Sequence, residues 1–204
     1  MPETIALEEK KHGVANAPVE DLILRRWSPR AFADKPVSDE DLKTIFTGGS
    51  WAASSYNEQP WRFLVGRKGD ETWKKIFNSL VPMNQSWAES APVLYASLAK
   101  KTFSHNGSPN RVAVHDVGAA SATISLQATA LGLHTHGMAG FDPELLRAYF
   151  GIPSDFEPVA VWALGYLGDP DRLPDNFKKS ELQERTRKPL QELVFSEWGQ
   201  AAEL

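Results

Sequence analysis

The 204-residue chain contains no cysteine. Disulfide bonds and thiolate zinc sites are therefore excluded. The chain also lacks an apolar run near its start, because the first residues, MPETIALEEKKHG, mix acidic, basic and apolar side chains. A secretory signal needs an apolar segment of about 7–15 residues. We therefore expect no signal peptide and a cytoplasmic location.

Charged side chains are missing from one long stretch, residues 117–141. Hydroxyl, amide and imidazole groups are spread along this stretch, which makes it too polar for a lipid-facing helix. The whole chain has a net charge of −4 and no continuous basic stripe, which argues against nucleic-acid binding. We expect neither a membrane nor a nucleic acid as a partner.

The length suits a single domain over residues 1–204, and no linker divides it. Residues 1–17 are predicted to form a mobile N-terminal arm. Ser38 has the position of a helix N-cap, ahead of an apolar face that includes Leu42. Apolar patterns and end signals predict the other elements: strands over 62–66, 92–99 and 158–166, a helix over 116–131 that ends at Gly132, and a helix that begins after Asp142 and ends at Gly151.

Arginines form two clusters near opposite ends of an otherwise acidic chain. The proline between Ser28 and Arg30 favours extended backbone, on which residues two apart share a face. Arg26, Ser28 and Arg30 are therefore predicted to converge, and Arg185 and Arg187 repeat the spacing. Guanidiniums and a hydroxyl on one face suit a phosphate. The clusters predict an anion site if the fold joins them, and solvated surface charge if it does not.

A third feature is the segment WAASSYNEQPW, residues 51–61. It places serine, asparagine, glutamate and glutamine side chains between two large aromatic residues. Such a loop suits a planar ligand with apolar faces and a polar edge. Pro60 and Trp61 are predicted to anchor the loop to the core.

Several blocks, taken together and in order, carry a family resemblance: RWSPRAF (26–32), SSYNEQPWRF (54–63), Asn84, GMAGFD (137–142) and RTRKP (185–189). Over about residues 20–190 the chain resembles the nitroreductase family of FMN-dependent NAD(P)H oxidoreductases. The resemblance implies an α+β fold with a central, mainly antiparallel sheet flanked by helices. It also implies an interlocked homodimer with FMN at its interface, and ping-pong electron transfer from NAD(P)H to a small-molecule acceptor such as a nitroaromatic or a quinone.

The resemblance also implies roles for particular residues. The FMN phosphate and ribityl chain would be held by Arg26, Ser28, Arg30, Arg185 and Arg187, with backbone from Trp27. The isoalloxazine ring would be covered and edged by Ala53, Ser54, Ser55 and Asn57, with the serines reaching across from the second subunit. Asn84 would bond the pyrimidine edge of the ring.

The segment Met138, Ala139 and Gly140 falls in the loop whose backbone N–H faces flavin N5 in the family. Well-known members have a glutamate before this glycine, where the present chain has Ala139. The backbone donor survives this difference, whereas a side-chain role in selecting the acceptor does not. No catalytic side chain is expected beyond the flavin itself.

Other interpretations stay open. Within the same superfamily, the chain could be a reductive dehalogenase or a flavin-degrading enzyme. A third possibility is an FMN-binding module without turnover. His134 and His136 would share one face of a strand as metal ligands do, but no third ligand is identifiable, and no metal is expected.

Overall fold

The structure is a computed structural model that describes residues 2–204, with side chains from residue 4 onward. Its main sheet is antiparallel, with the strand order β1-β2-β4-β3. The strands are β1 (Trp61–Arg67), β2 (Val93–Lys100), β3 (His134–Met138) and β4 (Phe156–Gly165). A small hairpin near the C-terminus adds β5 (Phe195–Glu197) and β6 (Gln200–Ala201). The predicted α+β class with an antiparallel sheet is confirmed.

Helices cover the sheet and connect its strands. They are α1 (Pro2–Lys11), α2 (Asp21–Arg25), α3 (Asp39–Ser50), α4 (Glu71–Ser79), α5 (Pro82–Ala88), α6 (Ala113–Ala130), α7 (Pro143–Phe150) and α8 (Asp175–Glu181). The longest of these described helices, α6, packs against α3 and the sheet. None of the described helices combines the length and the hydrophobicity needed to cross a bilayer.

The local end signals in the sequence act as predicted. The Ser38 hydroxyl accepts the Asp41 N–H at 3.0 Å and begins α3. The Asp142 carboxylate caps α7, which ends at Gly151 with a left-handed φ of 60°. Helix α6 begins at Ala113, three residues earlier than predicted, and no side chain caps it. Because no local sequence signal marks this start, the first residues of α6 are not predicted.

The structure does not show the mobile arm that is predicted over residues 1–17. Ten of these residues form α1, and Leu7 and Lys11 on that helix are buried. The Glu8 carboxylate lies 3.2 Å from Nε2 of His134 on β3. The prediction failed because α1 is weakly amphipathic, and its docking depends on residues far away in the chain.

The sheet order separates the loop before β1 from strand β3, and both contain predicted site residues. Strands β1 and β3 occupy opposite edges, about 14 Å apart for three strand spacings. Trp61, at the start of β1, is level with Glu157 through β2, whereas His134 pairs with Gly165. Eight residues along β4 correspond to about 26 Å. The segment before β1 and the start of β3 therefore lie about 30 Å apart within one chain.

Candidate functional site

The first arginine cluster lies on extended backbone, as predicted. Trp27 and Pro29 are buried, whereas Arg26, Ser28 and Arg30 are more exposed and alternate with them. Arg26 Nη1 lies 3.3 Å from the Ser28 hydroxyl oxygen. The period of two thus places the three predicted side chains on one face.

The two arginine clusters meet in one cavity of about 280 Å³. Among the described residues, its lining includes five cationic side chains and two acidic ones: Lys11, Arg26, Arg30, Arg185 and Arg187 against Glu181 and Glu184. Burial and the neighbouring Arg187 guanidinium lower the pKa of Arg26. Crowding of like charges makes a cavity of this kind favourable for an anion.

Arg185 has a more structural position than the sequence suggested. Its guanidinium donates hydrogen bonds to the Lys11 carbonyl at 2.7 Å and to the Leu24 carbonyl. It therefore joins the end of α1 to the end of α2 while also lining the cavity. Arg187 is exposed, and its Nη1 donates to the Thr186 carbonyl at 2.7 Å.

Sequence reasoning missed several residues that line the cavity, and two of them, Glu181 and Lys11, are buried charges. Glu181 is fully buried, and its carboxylate accepts the N–H of Arg30 at 2.8 Å and of Ala31 at 3.0 Å. Burial raises its pKa, and the two backbone donors oppose that shift. Lys11 lies in the segment that the sequence assigned to an arm. The only signal for Glu181 was an acid inside a basic run.

The edge strand β3 leads from this cavity to the residues near its end that are predicted to bind the ring. His136 lies 2.9 Å from the Pro29 carbonyl through Nδ1, and its ring centroid is 4.6 Å from that of Trp87. Burial, followed by the Arg30 guanidinium, lowers the pKa of His136 to about 4. The imidazole is therefore neutral at pH 7, and Nδ1 carries the proton because a carbonyl can only accept.

His134 lies two residues earlier on the same strand. Its ring meets that of Trp27 edge-on at 5.8 Å, and both His134 Nδ1 and Trp27 Nε1 are buried without a hydrogen-bond partner. The described residues contain no cluster of three or more His, Cys, Asp or Glu side chains that could hold a metal ion. Both histidines contact the segment that carries the first arginine cluster, His134 through the Trp27 ring and His136 through the Pro29 carbonyl.

Past the end of β3, two of the predicted ring-binding residues, Asn84 and Gly140, meet. The Asn84 amide on α5 donates to the Gly140 carbonyl at 2.9 Å, and Val81 N–H donates to the same oxygen at 3.1 Å. A Cβ at Gly140 would lie 2.7 Å from Asn84 Nδ2 and 2.9 Å from a Val81 methyl. Ala139 is exposed, whereas the Met138 side chain is buried in the core. Only the backbone of Met138 remains available for the predicted ligand contact.

The structure does not bring the loop over residues 51–61 to this cavity. The loop precedes β1, at the far edge of the sheet from β3. Its anchors, Pro60 and Trp61, are buried as predicted. Ala53 and Asn57 are exposed, as are the rings of Trp51 and Tyr56.

The loop has an unusual, fixed backbone. Tyr56, Asn57 and Gln59 have φ of 52°, 54° and 50°, a region that residues other than glycine seldom adopt. The Ser54 hydroxyl accepts the Gln59 N–H at 3.0 Å, and the Ser55 N–H donates to the buried Asp116 carboxylate at 3.0 Å. Strained backbone held by such bonds is common where a loop is shaped for a ligand.

The fold and the site together define an α+β protein with a cationic cavity beside the edge strand of its sheet. Comparison with known families gives the identification. The model of the nitroreductase family matches residues 23–81 and 70–166, more than half of the chain. The chain belongs to the nitroreductase family.

Individual relatives agree with this assignment. A NADH dehydrogenase from Thermus thermophilus is 30% identical over 175 residues, which cover 70% of this chain and 83% of the relative. A crystal structure of an oxidoreductase containing FMN is 37% identical, with a TM-score of 0.86, over 91% of this chain and 95% of that one. A protein from Desulfovibrio desulfuricans, solved in complex with FMN, is 25% identical with a TM-score of 0.69, over 90% and 98% of the two chains.

Proposed function

We propose that this chain is an FMN-dependent oxidoreductase that transfers electrons from NAD(P)H to small electrophiles such as nitroaromatics or quinones, by a ping-pong mechanism. Membership of the nitroreductase family supports an oxidoreductase. The similarity to a NADH dehydrogenase supports a nicotinamide electron donor. The similarity to a protein that contains FMN supports the cofactor.

The observation that carries the proposal is the cationic cavity formed by the two arginine clusters. Its donor set fits a terminal phosphate, since guanidinium groups grip phosphate oxygens with paired hydrogen bonds. Arg26, Ser28, Arg30 and Arg187 would hold that phosphate, with Trp27 contributing backbone. Arg185 would act mainly by fixing the wall of the cavity, because it already donates to two carbonyls.

The remaining residues along β3 would orient the cofactor's ring. Asn84 and the Gly140 carbonyl are already joined, which fixes the loop of Ala139 and Gly140 beside the proposed ring position. His136 is neutral at pH 7 and therefore adds no charge there. FMN, when bound, supplies the hydride chemistry, and the protein supplies binding and orientation. This division is consistent with a site without a dedicated catalytic side chain.

We further propose a homodimer in which each site is shared. The loop that contains Ala53, Ser54, Ser55 and Asn57 precedes β1, and by strand spacings it lies about 20 Å from the end of β3, where the ring is proposed, within one chain. A second copy would bring this loop to the ring. An apolar stripe on α6 at helical spacing, with exposed or partly exposed side chains, supports such an interface: Val114, Gly118, Ala122 and Leu126. Exposed apolar residues near the C-terminus add to it: Leu190, Leu193, Trp198 and Leu204.

The test begins with the purified protein. It is expected to be yellow, or to become yellow on reconstitution, and to release FMN rather than FAD on denaturation, because a cavity closed on a terminal phosphate leaves no room for an adenylate. Anaerobic mixing with NADH or NADPH should bleach the flavin, and quinones or nitroaromatics should restore the colour. Binding of FAD, or of no flavin at all, would contradict the cofactor assignment. Bound FMN that no nicotinamide bleaches would indicate a binding module without turnover.

A further inference from the structure

The N-terminal helix α1 contributes a wall to the cationic cavity. This helix lies outside the segments matched by the family model, which begin at residue 23. Its last residue, Lys11, lines the cavity together with both arginine clusters. The helix therefore lies outside the matched region and reaches the proposed phosphate position.

Several contacts fix the end of α1 against the body of the protein. The Arg185 guanidinium donates to the Lys11 carbonyl and to the Leu24 carbonyl. The Gly13 N–H donates to the same Leu24 carbonyl at 2.9 Å, and His12 Nε2 lies 2.8 Å from the Asp21 carboxylate. The two Arg185 contacts join residues more than 150 positions apart, so the position of α1 is set by the folded protein.

The surroundings of the Lys11 side chain fix its ammonium group in place. The residue is 4% exposed, its ammonium donates to the Gln183 carbonyl, and Nζ lies 5.0 Å from the centre of the Trp27 ring. An ammonium group has three donors, and one carbonyl uses one of them. Burial lowers the pKa of Lys11, while the nearby Glu181 carboxylate favours the charged form. A bound anion would favour the charged form in the same way.

We propose that Lys11 is a direct ligand of the cofactor's phosphate, supplied by an N-terminal helix that closes the phosphate end of the cavity. The ligand class is a phosphomonoester, and the inference rests on the proposed FMN site. Arg185 is the positioning residue in this arrangement, because it holds the Lys11 backbone. Glu181 is the counter-charge that stabilises the cations before the phosphate binds.

The test compares two flavins that differ only in the phosphate, FMN and riboflavin. Lys11→Met removes the charge but keeps an unbranched apolar chain beside Trp27. Dissociation constants are measured on the full-length apoprotein by quenching of flavin fluorescence. Lys11→Met is expected to weaken FMN binding by about 10- to 100-fold, the loss of one charge-assisted hydrogen bond, and to leave riboflavin binding unchanged.

Two further variants serve as controls. Lys10→Met removes the neighbouring, exposed charge from the same helix end and should leave FMN binding at the wild-type value. Lys11→Arg keeps the charge and should restore most of the FMN affinity. Circular dichroism and a urea midpoint establish that each variant is folded.

The outcomes separate the possible failures. Equal weakening of FMN and riboflavin by Lys11→Met would mean that Lys11 only supports the fold, and it would overturn the proposal. Wild-type FMN affinity in Lys11→Met would overturn it too, and would leave the proposed function intact. A wild-type protein that binds neither flavin would contradict the proposed function itself.

Discussion

At the scale of single residues, charged side chains around the cavity fix the backbone that surrounds it. Glu181 bonds the backbone N–H groups of Arg30 and Ala31, and so fixes the segment that carries the first arginine cluster. Arg185 bonds two carbonyls at the ends of α1 and α2. A buried charge without such partners would cost several kcal/mol, so the two backbone bonds are what allow the Glu181 carboxylate to remain inside.

His136 gives a pH prediction at this scale. Its folded-state pKa is about 4, below the ordinary value of about 6.5. Between these values the unfolded chain binds a proton that the folded chain does not, so stability falls as the pH falls from 6.5 to 4. The loss attributable to this group is on the order of 3 kcal/mol. His136→Asn keeps a donor near the Pro29 carbonyl and cannot titrate, so its urea-unfolding free energy should depend less on pH over this range.

The matched control for that measurement is His105→Asn, a change of an exposed ring. This variant is expected to keep the wild-type pH dependence. If His136→Asn lost stability on acidification as steeply as the wild type, His136 would not be the buried neutral base that the structure indicates.

At the scale of elements, the close approach of α3 and α6 sets the layer that covers the sheet. Gly49 on α3 faces Ile124 on α6, and a Cβ at Gly49 would lie 2.4 Å from the Ile124 Cγ1 atom. Small residues at such crossings let helix backbones approach. The spacing of α6 in turn positions Asp116, which holds the strained loop through Ser55 N–H.

Gly49→Ala is therefore expected to destabilise the protein by about 1–3 kcal/mol, the usual range for overpacking of a rigid core contact. The adjacent Gly48→Ala is the comparison, because its added Cβ would lie 2.9 Å from Cγ and 3.1 Å from Cβ of Gln127, so that the Gln127 side chain would have to shift. Alanine at that helix position gains about 0.5–1 kcal/mol over glycine, which offsets part of the cost of that shift, so Gly48→Ala should destabilise the protein less than Gly49→Ala. Urea unfolding at fixed protein concentration measures both, and equal effects would argue against the close helix contact.

At the scale of the whole molecule, the two halves of the proposed site lie at opposite edges of one sheet. The strained loop that contains Ser54 and Ser55 is held by Asp116 on α6, the helix that also presents the exposed apolar stripe. The first arginine cluster lies beside β3 at the other edge. Two copies related by a two-fold axis would form two equivalent sites.

A mixed dimer tests this arrangement. One subunit carries Arg26→Ala with Arg187→Ala, and the other carries Ser54→Leu with Ser55→Leu. Each homodimer would have both sites damaged, whereas the mixed dimer would have one intact site and one doubly damaged site. Co-expression with two affinity tags and tandem purification should therefore recover up to about half of the wild-type flavin and turnover per dimer. A mixed dimer as inactive as its parents would mean that each site lies within one chain.

Much of the local structure could be predicted from the sequence. Ser38, Asp142 and Gly151 mark helix ends through bonds to residues a few positions away, and such bonds form wherever the chain folds. The alternation of Arg26, Ser28 and Arg30 follows from extended backbone beside a proline. The ordered blocks that resemble the nitroreductase family likewise predicted the membership that the family comparison established.

The tertiary structure alone decided which distant residues complete the site. The sequence could not show that Glu181 would bond Arg30, 151 positions away, or that Lys11 would bond the Gln183 carbonyl, 172 positions away. It also assigned α1 to a mobile arm, because the helix has little amphipathic pattern of its own and is held by bonds from Arg185 and His134. Local hydrogen bonds and apolar periodicity depend on residues that are close together in the sequence. Burial of a charge depends on partners that only the folded chain brings within reach.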